Sequence, residues 1–376
     1  MPKLEDINSC LEKIHTIVQN ERSEDVCSEQ KQGLIVYYYL RYKLYGEASD
    51  ARQINQLLSE VIDEILTGFT ELTSLHGFLI VNDLLHDKLL NAEVTGKIYQ
   101  LDTFLASQIA LSGEAISLNP FQGVIGIVHY FVERLPNPEV EKCLWRHIPL
   151  VLERFAHQYP HQATKGAEVG LGMINGITGV LFVLLKLCEK GLYVNDIKAI
   201  IYCRLAHMIS CRQEIDFFAE RFSLFPEVIQ ANTGECVFGR RMTWSDGDLN
   251  KSLFLYKACN IFQDAKFEQV ANLVGLNTLL RKTKKTTAVR RACFYAGAAG
   301  VAQTYRSLYT MSQQPAYQEG YAYWIKRTVK LLKQEIEAEY YQAKALDLFR
   351  GLIGSALVLL DYLLQTPSAW SKTLLL

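Results

Sequence analysis

A short glycine phrase recurs along this chain of 376 residues and constrains its fold more than any other feature. In full form it reads Gly-x-x-Gly, usually with an apolar residue next. The clear copies are Gly123-Val124-Ile125-Gly126-Ile127, Gly176-Ile177-Thr178-Gly179-Val180, Gly297-Ala298-Ala299-Gly300-Val301 and Gly351-Leu352-Ile353-Gly354-Ser355. Worn copies sit at Gly33-Leu34-Ile35-Val36, Gly77-Phe78-Leu79-Ile80 and Gly247-Asp248-Leu249-Asn250. The lead glycines lie roughly 45 to 70 residues apart, a period that marks a repeat architecture, here of seven units.

Each unit reads as two helices. The first is charged and one-faced, as over 51–69, where Leu57, Leu58, Val61, Ile62 and Ile65 fall at helical spacing. The same pattern covers 143–157, 195–211, 266–281 and 319–340. The second follows the glycine and is apolar nearly all round, as over 179–188 and 352–364. A one-faced helix can lie outside, whereas an all-round apolar helix must be buried. The pairing predicts an all-α fold, an (α/α)7 toroid of seven inner and seven outer helices, with 1–376 as a single domain. Glycines at the inner helix starts are expected to let helix ends crowd near the axis and to supply unusual backbone angles. Tyr37, Tyr38 and Tyr39, with Tyr42 and Tyr45, read as inner-helix packing.

One stretch breaks the rhythm. At about 212–243 the spacing lengthens, and Glu227-Val228-Ile229-Gln230 and Glu235-Cys236-Val237-Phe238 read as strands around Asn232-Thr233-Gly234. Long loops in repeat folds tend to line the functional mouth.

Bulk properties narrow the function classes. A net charge of -1 gives no global field toward nucleic acid or anionic membrane. The apolar run 179–187 is too short to span a bilayer, and the start Met1-Pro2-Lys3-Leu4-Glu5-Asp6 lacks a signal-peptide core. Nine scattered cysteines without a CxxC pair read as reduced thiols in a cytoplasmic protein.

Three phrases carry more than helix geometry: Val169-Gly170-Leu171-Gly172-Met173-Ile174-Asn175-Gly176, Arg241-Met242-Thr243-Trp244-Ser245-Asp246-Gly247-Asp248 and Tyr295-Ala296-Gly297-Ala298-Ala299-Gly300. Together they resemble the lanthionine synthetase C-like family, and the resemblance runs through all seven units. It implies the same toroid and cyclase chemistry, in which a peptide cysteine adds to a dehydrated serine or threonine. It also implies a zinc ion with three protein ligands and one open position, which holds the thiol as thiolate. The family's ligands are a cysteine in a Trp-Cys-Tyr-Gly phrase and the pair in a Cys-His-Gly phrase.

This chain departs at each ligand. The former ligand positions hold Ser245, Tyr295 and Ala296, and the chain has no histidine after His207. The family's acid/base histidine aligns with Asn175, and an expected aspartate aligns with Asn119. Arg241 and Asp248 match family positions. The correlated losses imply no family-type zinc and a catalytically degenerate scaffold; no other cofactor is expected.

Other residues offer rival readings. Cys236, Cys293 and Asp246 would make a rebuilt zinc site, against simple packing of the two thiols. Asp246 and Asp248 would make a glycosidase-like carboxylate pair, against capping of free helix amides, which is favoured. Ser245 would be a nucleophile only with a base such as His76 or His129 beside it. The run 281–291 carries six positive charges and no negative one, including Lys284, Lys285, Arg290 and Arg291. It reads as a solvated loop or as a dock for an acidic peptide. The expectation is a zinc-less accessory protein that binds a ribosomally made precursor peptide, or its other modifying enzymes. Peptide contacts would come from Arg241, Asp246, Tyr295, Lys284, Lys285, Arg290 and Arg291. The rivals are a thioether cyclase with a non-standard or absent metal, using Asp246 or Tyr295 for proton transfer, and a toroidal carbohydrate-active enzyme.

Overall fold

The helices alternate as the glycine phrases require. A computed structural model describes residues 3–21, 26–68, 74–111, 117, 119–159, 168–174, 176–230, 233–365 and 370–376. In chain order, outer and inner helices pair as α1 (Leu4–Glu21) with α2 (Ser28–Tyr45), and α3 (Ala48–Leu66) with α4 (Val81–His86). A tight helical turn, His76–Ile80, leads into α4. Then come α5 (Ala92–Leu111) with α6 (Gly123–Arg134), α7 (Pro138–Gln158) with α8 (Ile177–Glu189), and α9 (Val194–Ser210) with α10 (Asp248–Phe262). After α11 (Ala265–Thr278), a single turn α12 (Lys284–Thr287) precedes α13 (Ala298–Ser312). The last pair is α14 (Pro315–Glu337) with α15 (Ile353–Leu364), and α16 (Trp370–Thr373) ends the chain.

The inner helices form a closed circuit. Starting from α2, contacts pass to the 76–80 turn, α6, α8, α10, α13 and α15, and α15 returns to α2. Outside them, α1 meets α14, α3 meets α5, and α5 meets α7. The fold is the all-α toroid of seven inner and seven outer helices. Burial follows the sequence pattern: all twelve residues from Ile177 to Cys188 of α8 are buried, while α7 buries only Val140, Leu144, Ile148, Val151, Leu152 and Phe155. Inside the ring, Trp370, Leu374 and Leu375 are fully enclosed. The Lys372 carbonyl accepts from Lys186 Nζ near the far end of α8, and the Leu374 carbonyl accepts from Trp244 Nε1 at 3.1 Å. The tail thus runs through the interior. Among the described residues, no helix is long and apolar enough to cross a membrane.

The 212–243 stretch folds back as expected, with one addition. Strand β2 (Val228–Gln230) pairs antiparallel with β3 (Cys236–Val237) and also with β1 (Glu168–Gly170), a strand the periodicity did not reveal. The Leu171 amide donates to the Glu227 carbonyl at 2.8 Å and extends that pairing. The insertion is therefore sewn to the loop that enters α8.

Candidate functional site

Successive loops at the inner helix starts are tied by backbone hydrogen bonds. Met173 N donates to Ser245 O (2.7 Å), Ser245 N to Tyr295 O (3.2 Å) and Tyr295 N to Phe349 O (2.7 Å), and Leu75 N to Phe121 O (3.0 Å) repeats the pattern earlier in the ring. Each of these residues lies two or three positions before its lead glycine. The resulting belt of main chain sets Ser245 directly beside Tyr295. Beneath it, Trp244 is fully buried, stacked on Phe349 at 5.6 Å and packed against Phe294 and Phe121.

Ser245 sits in a small polar knot. Its hydroxyl donates to Asp246 Oδ2 (2.9 Å) and lies 3.1 Å from Thr243 Oγ1. Asp246 also receives Arg241 Nη1 at 3.4 Å, and its amide donates to Thr243 Oγ1. Arg241 is held from the other side by Glu227, whose Oε1 accepts the Arg241 amide. Gly172 makes room for the Asp246 carboxylate, since Oδ1 would lie 2.5 Å from a Cβ there. Asn119 turns in on its own loop, its side-chain oxygen accepting from Phe121 N at 3.0 Å. Asn175 lies outside the described residues.

Neither role weighed for the aspartates matches the structure. Asp248 is the first residue of α10, yet its oxygens accept from Leu224 N (2.9 Å) and Phe225 N (3.1 Å) of the insertion, not from the helix's own amides. Arg281 lies 3.6 Å away, also buried, and donates on to the Arg240 and Thr286 carbonyls. Burial pushes the Asp248 carboxyl up, and the Arg281 charge and the two amides oppose this. Asp248 is thus a sealed staple between insertion and ring and cannot pair with Asp246 on a substrate. Capping by Asp246 is replaced by its contacts to Ser245 and Arg241.

Sequence reasoning missed Lys251, one turn into α10. It is fully enclosed, and its ammonium has no hydrogen-bond partner among the described residues. Burial pulls its pKa down, while Asp246, Asp248 and Glu227 pull the other way. Only its place four residues after Gly247, inside an apolar helix start, signalled that it points inward.

A cavity of about 550 Å³ opens beside Tyr295 and Ala296, with Cys293 in its wall. Burial pushes the Cys293 thiol up to about 11, so it is protonated at neutral pH. Cys236 stands apart on β3 beside Cys211, its thiol also pushed up to about 11 by burial and by that neighbour. The basic run disperses. Arg281 is buried, Lys285 pairs with Glu220 at 2.7 Å, Lys284 and Arg290 are exposed, and Arg291 lines the cavity.

Neither His76 nor His129 supplies a base to Ser245. His76 is buried with Nδ1 2.7 Å from Ser74 Oγ, and burial pulls it down to about 3. His129 is buried with Nδ1 donating to the Pro120 carbonyl and Nε2 beside Lys186 Nζ.

The sequence model of the lanthionine synthetase C-like proteins matches residues 31–375. The chain belongs to this family. In three dimensions it is similar to a solved structure, "Nisin cyclase", with a TM-score of 0.77 and 14% identity, covering 99% of this chain and 98% of that chain. At that identity the likeness shows the fold alone. Comparison with curated protein sequences gives no match. Ser245 spends its hydroxyl on Asp246, Tyr295 carries the Arg350 guanidinium 5.1 Å from its ring centroid, and Ala296 has no donor atom. Among the described residues, no three His, Cys, Asp or Glu side chains converge in a way that could hold a metal ion. The residues present at these positions do not fit the family's zinc.

Proposed function

We propose that this lanthionine synthetase C-like protein binds a ribosomally made precursor peptide during its maturation, without family-type zinc and without closing thioether rings itself. The observation that supports this most is the donor set beside the belt. Serine, tyrosine and alanine stand where a thiolate-binding metal needs soft or imidazole ligands. The nearby Cys293 thiol is too basic to serve as a ready thiolate. Arg241 and Asp246 at the mouth, with Tyr295 in the adjoining cavity wall, supply polar and aromatic contacts for peptide.

The test combines elemental mass spectrometry of the purified, tag-free chain with incubation of a dehydrated, cysteine-containing peptide. The expected outcome is near-zero zinc, peptide binding and no loss of free thiol. Free-thiol loss without a change of mass would overturn the accessory reading in favour of a metal-free cyclase. That second reading draws on one observation, the partly buried Asp246 carboxylate hydrogen-bonded to Ser245. Within it, Asp246→Asn should abolish the thiol loss.

A further inference from the structure

The cavity beside Tyr295 is built from two successive units and from one sign of charge. Arg291 comes from the approach to α13, Lys344 and Arg350 from the approach to α15, and among the described residues no carboxylate lines the wall. None of the three cations makes an ion pair among the described residues. The nearest acids are committed or out of reach. Glu335 is buried and accepts from the Ala292 amide and the Tyr341 hydroxyl. Asp347 accepts from the Phe349 and Arg350 amides. Glu29 feels the Arg350 charge but lies beyond ion-pair distance.

Aromatic rings brace the guanidinium groups. Arg291 Cζ lies 3.5 Å from the Tyr340 ring centroid, and Arg350 Cζ lies 5.1 Å from that of Tyr295. Stacking on a ring leaves the edge donors of a guanidinium free and limits its rotamers, which lowers the entropy lost on binding. Three cations around one hollow, none in an ion pair among the described residues, favour entry of an anion. A lone carboxylate would leave two positive charges unmatched. A phosphomonoester brings close to two negative charges and three acceptor oxygens, enough for two planar forks and an ammonium.

We propose that this cavity is a binding site for a phosphomonoester, gripped by Arg291, Lys344 and Arg350. The phosphoryl group belongs to a free small molecule or to a phosphorylated peptide side chain; the recognising chemistry is the same. The site shares Tyr295 with the peptide-binding reading but does not rest on it: failure to bind precursor peptide would leave the ester titration as a separate test.

The experiment is calorimetric titration of the full chain at low salt with inorganic phosphate, O-phosphoserine and glutamate. A serine-phosphorylated peptide and its unphosphorylated twin complete the set. Phosphate and O-phosphoserine should compete for one site and bind at least about tenfold tighter than glutamate. Arg291→Gln and Arg350→Gln should each weaken them at least about tenfold while the thermal melt stays unchanged, since both side chains are exposed. Affinity should fall as pH drops below about 6, where the ester loses its second charge. Tighter binding of the phosphopeptide than of O-phosphoserine would assign the ester to a peptide; equal or weaker binding would assign it to a small molecule. Glutamate binding as tightly as phosphate, or wild-type affinity in both arginine variants and in Lys344→Gln, would overturn the proposal.

Discussion

Asp248 and Arg281 are each about 1% exposed at the side chain, so neither charge can fall back on water. Removing one partner of such a pair costs more than the pair contributes, because the other is left buried and alone. Asp248→Ala should therefore lower the unfolding free energy by about 3–5 kcal/mol in urea melts and loosen the insertion at Leu224 and Phe225. Asp246, two residues earlier, keeps about 21% of its side chain exposed and is paired with the exposed Arg241, and Asp246→Asn should shift stability by about 1 kcal/mol or less. The contrast separates a structural acid from a site acid. The sequence could not separate them, because two carboxylates flanking one glycine look alike until a distant segment claims one. Arg281 was hidden for the same reason: within the basic run it looks like its neighbours, and only the fold draws it inward.

Among the secondary-structure elements, the glycine phrases were legible and their reasons only half so. Of the lead glycines, Gly123 and Gly247 have positive φ; Gly77, Gly176, Gly297 and Gly351 sit at close approaches of backbone, and Gly33 lies against the Leu348 side chain. Gly247 has φ +101°, and a Cβ there would strike the Arg241 carbonyl. Gly179, the second glycine of its phrase, faces the Met173 carbonyl of the belt loop. Gly247→Ala and Gly179→Ala should each cost about 2 kcal/mol or more in a thermal melt. Gly96, within α5 and open to solvent, should instead gain about 0.5–1 kcal/mol as alanine. Helix starts were read late where caps precede the apolar pattern. Helix α7 begins at Pro138, not 143, because the Asn137 side chain accepts from Glu139 N and Val140 N and Pro138 suits the first turn. Helices α1 and α5 were not singled out, and β1 was missed because three residues carry too little alternation to register.

For the whole molecule, the toroid was readable because it follows from one repeated rule, whereas the site depends on contacts between units far apart in sequence. The cavity draws on residues 291 to 350, and no local pattern joins them. The buried histidines have a global consequence. His76 is pulled to about 3, and His129 is also depressed by burial and by Lys186. A histidine with a depressed folded pKa contributes stability that is fully present above its unfolded value near 6.5 and is lost as pH falls toward its folded value. Between pH 6.5 and 3, His76 should remove about 1.4 kcal/mol per pH unit, and His129 adds a loss of the same sign below 6.5. A His76→Phe variant should show a visibly shallower acid slope in denaturant melts across that window.

The belt that sets Ser245 beside Tyr295 is made of amides and carbonyls, which every residue but proline supplies in full. What the side chains at those positions do is therefore uncoupled from what holds them there. Installing cysteine at 245 and 295 and histidine at 296 asks nothing new of the main chain, and the altered protein should fold with its loops in place. The toroid behaves as a mount whose fixings do not pass through the tool it carries, so a change of tool leaves the mounting intact.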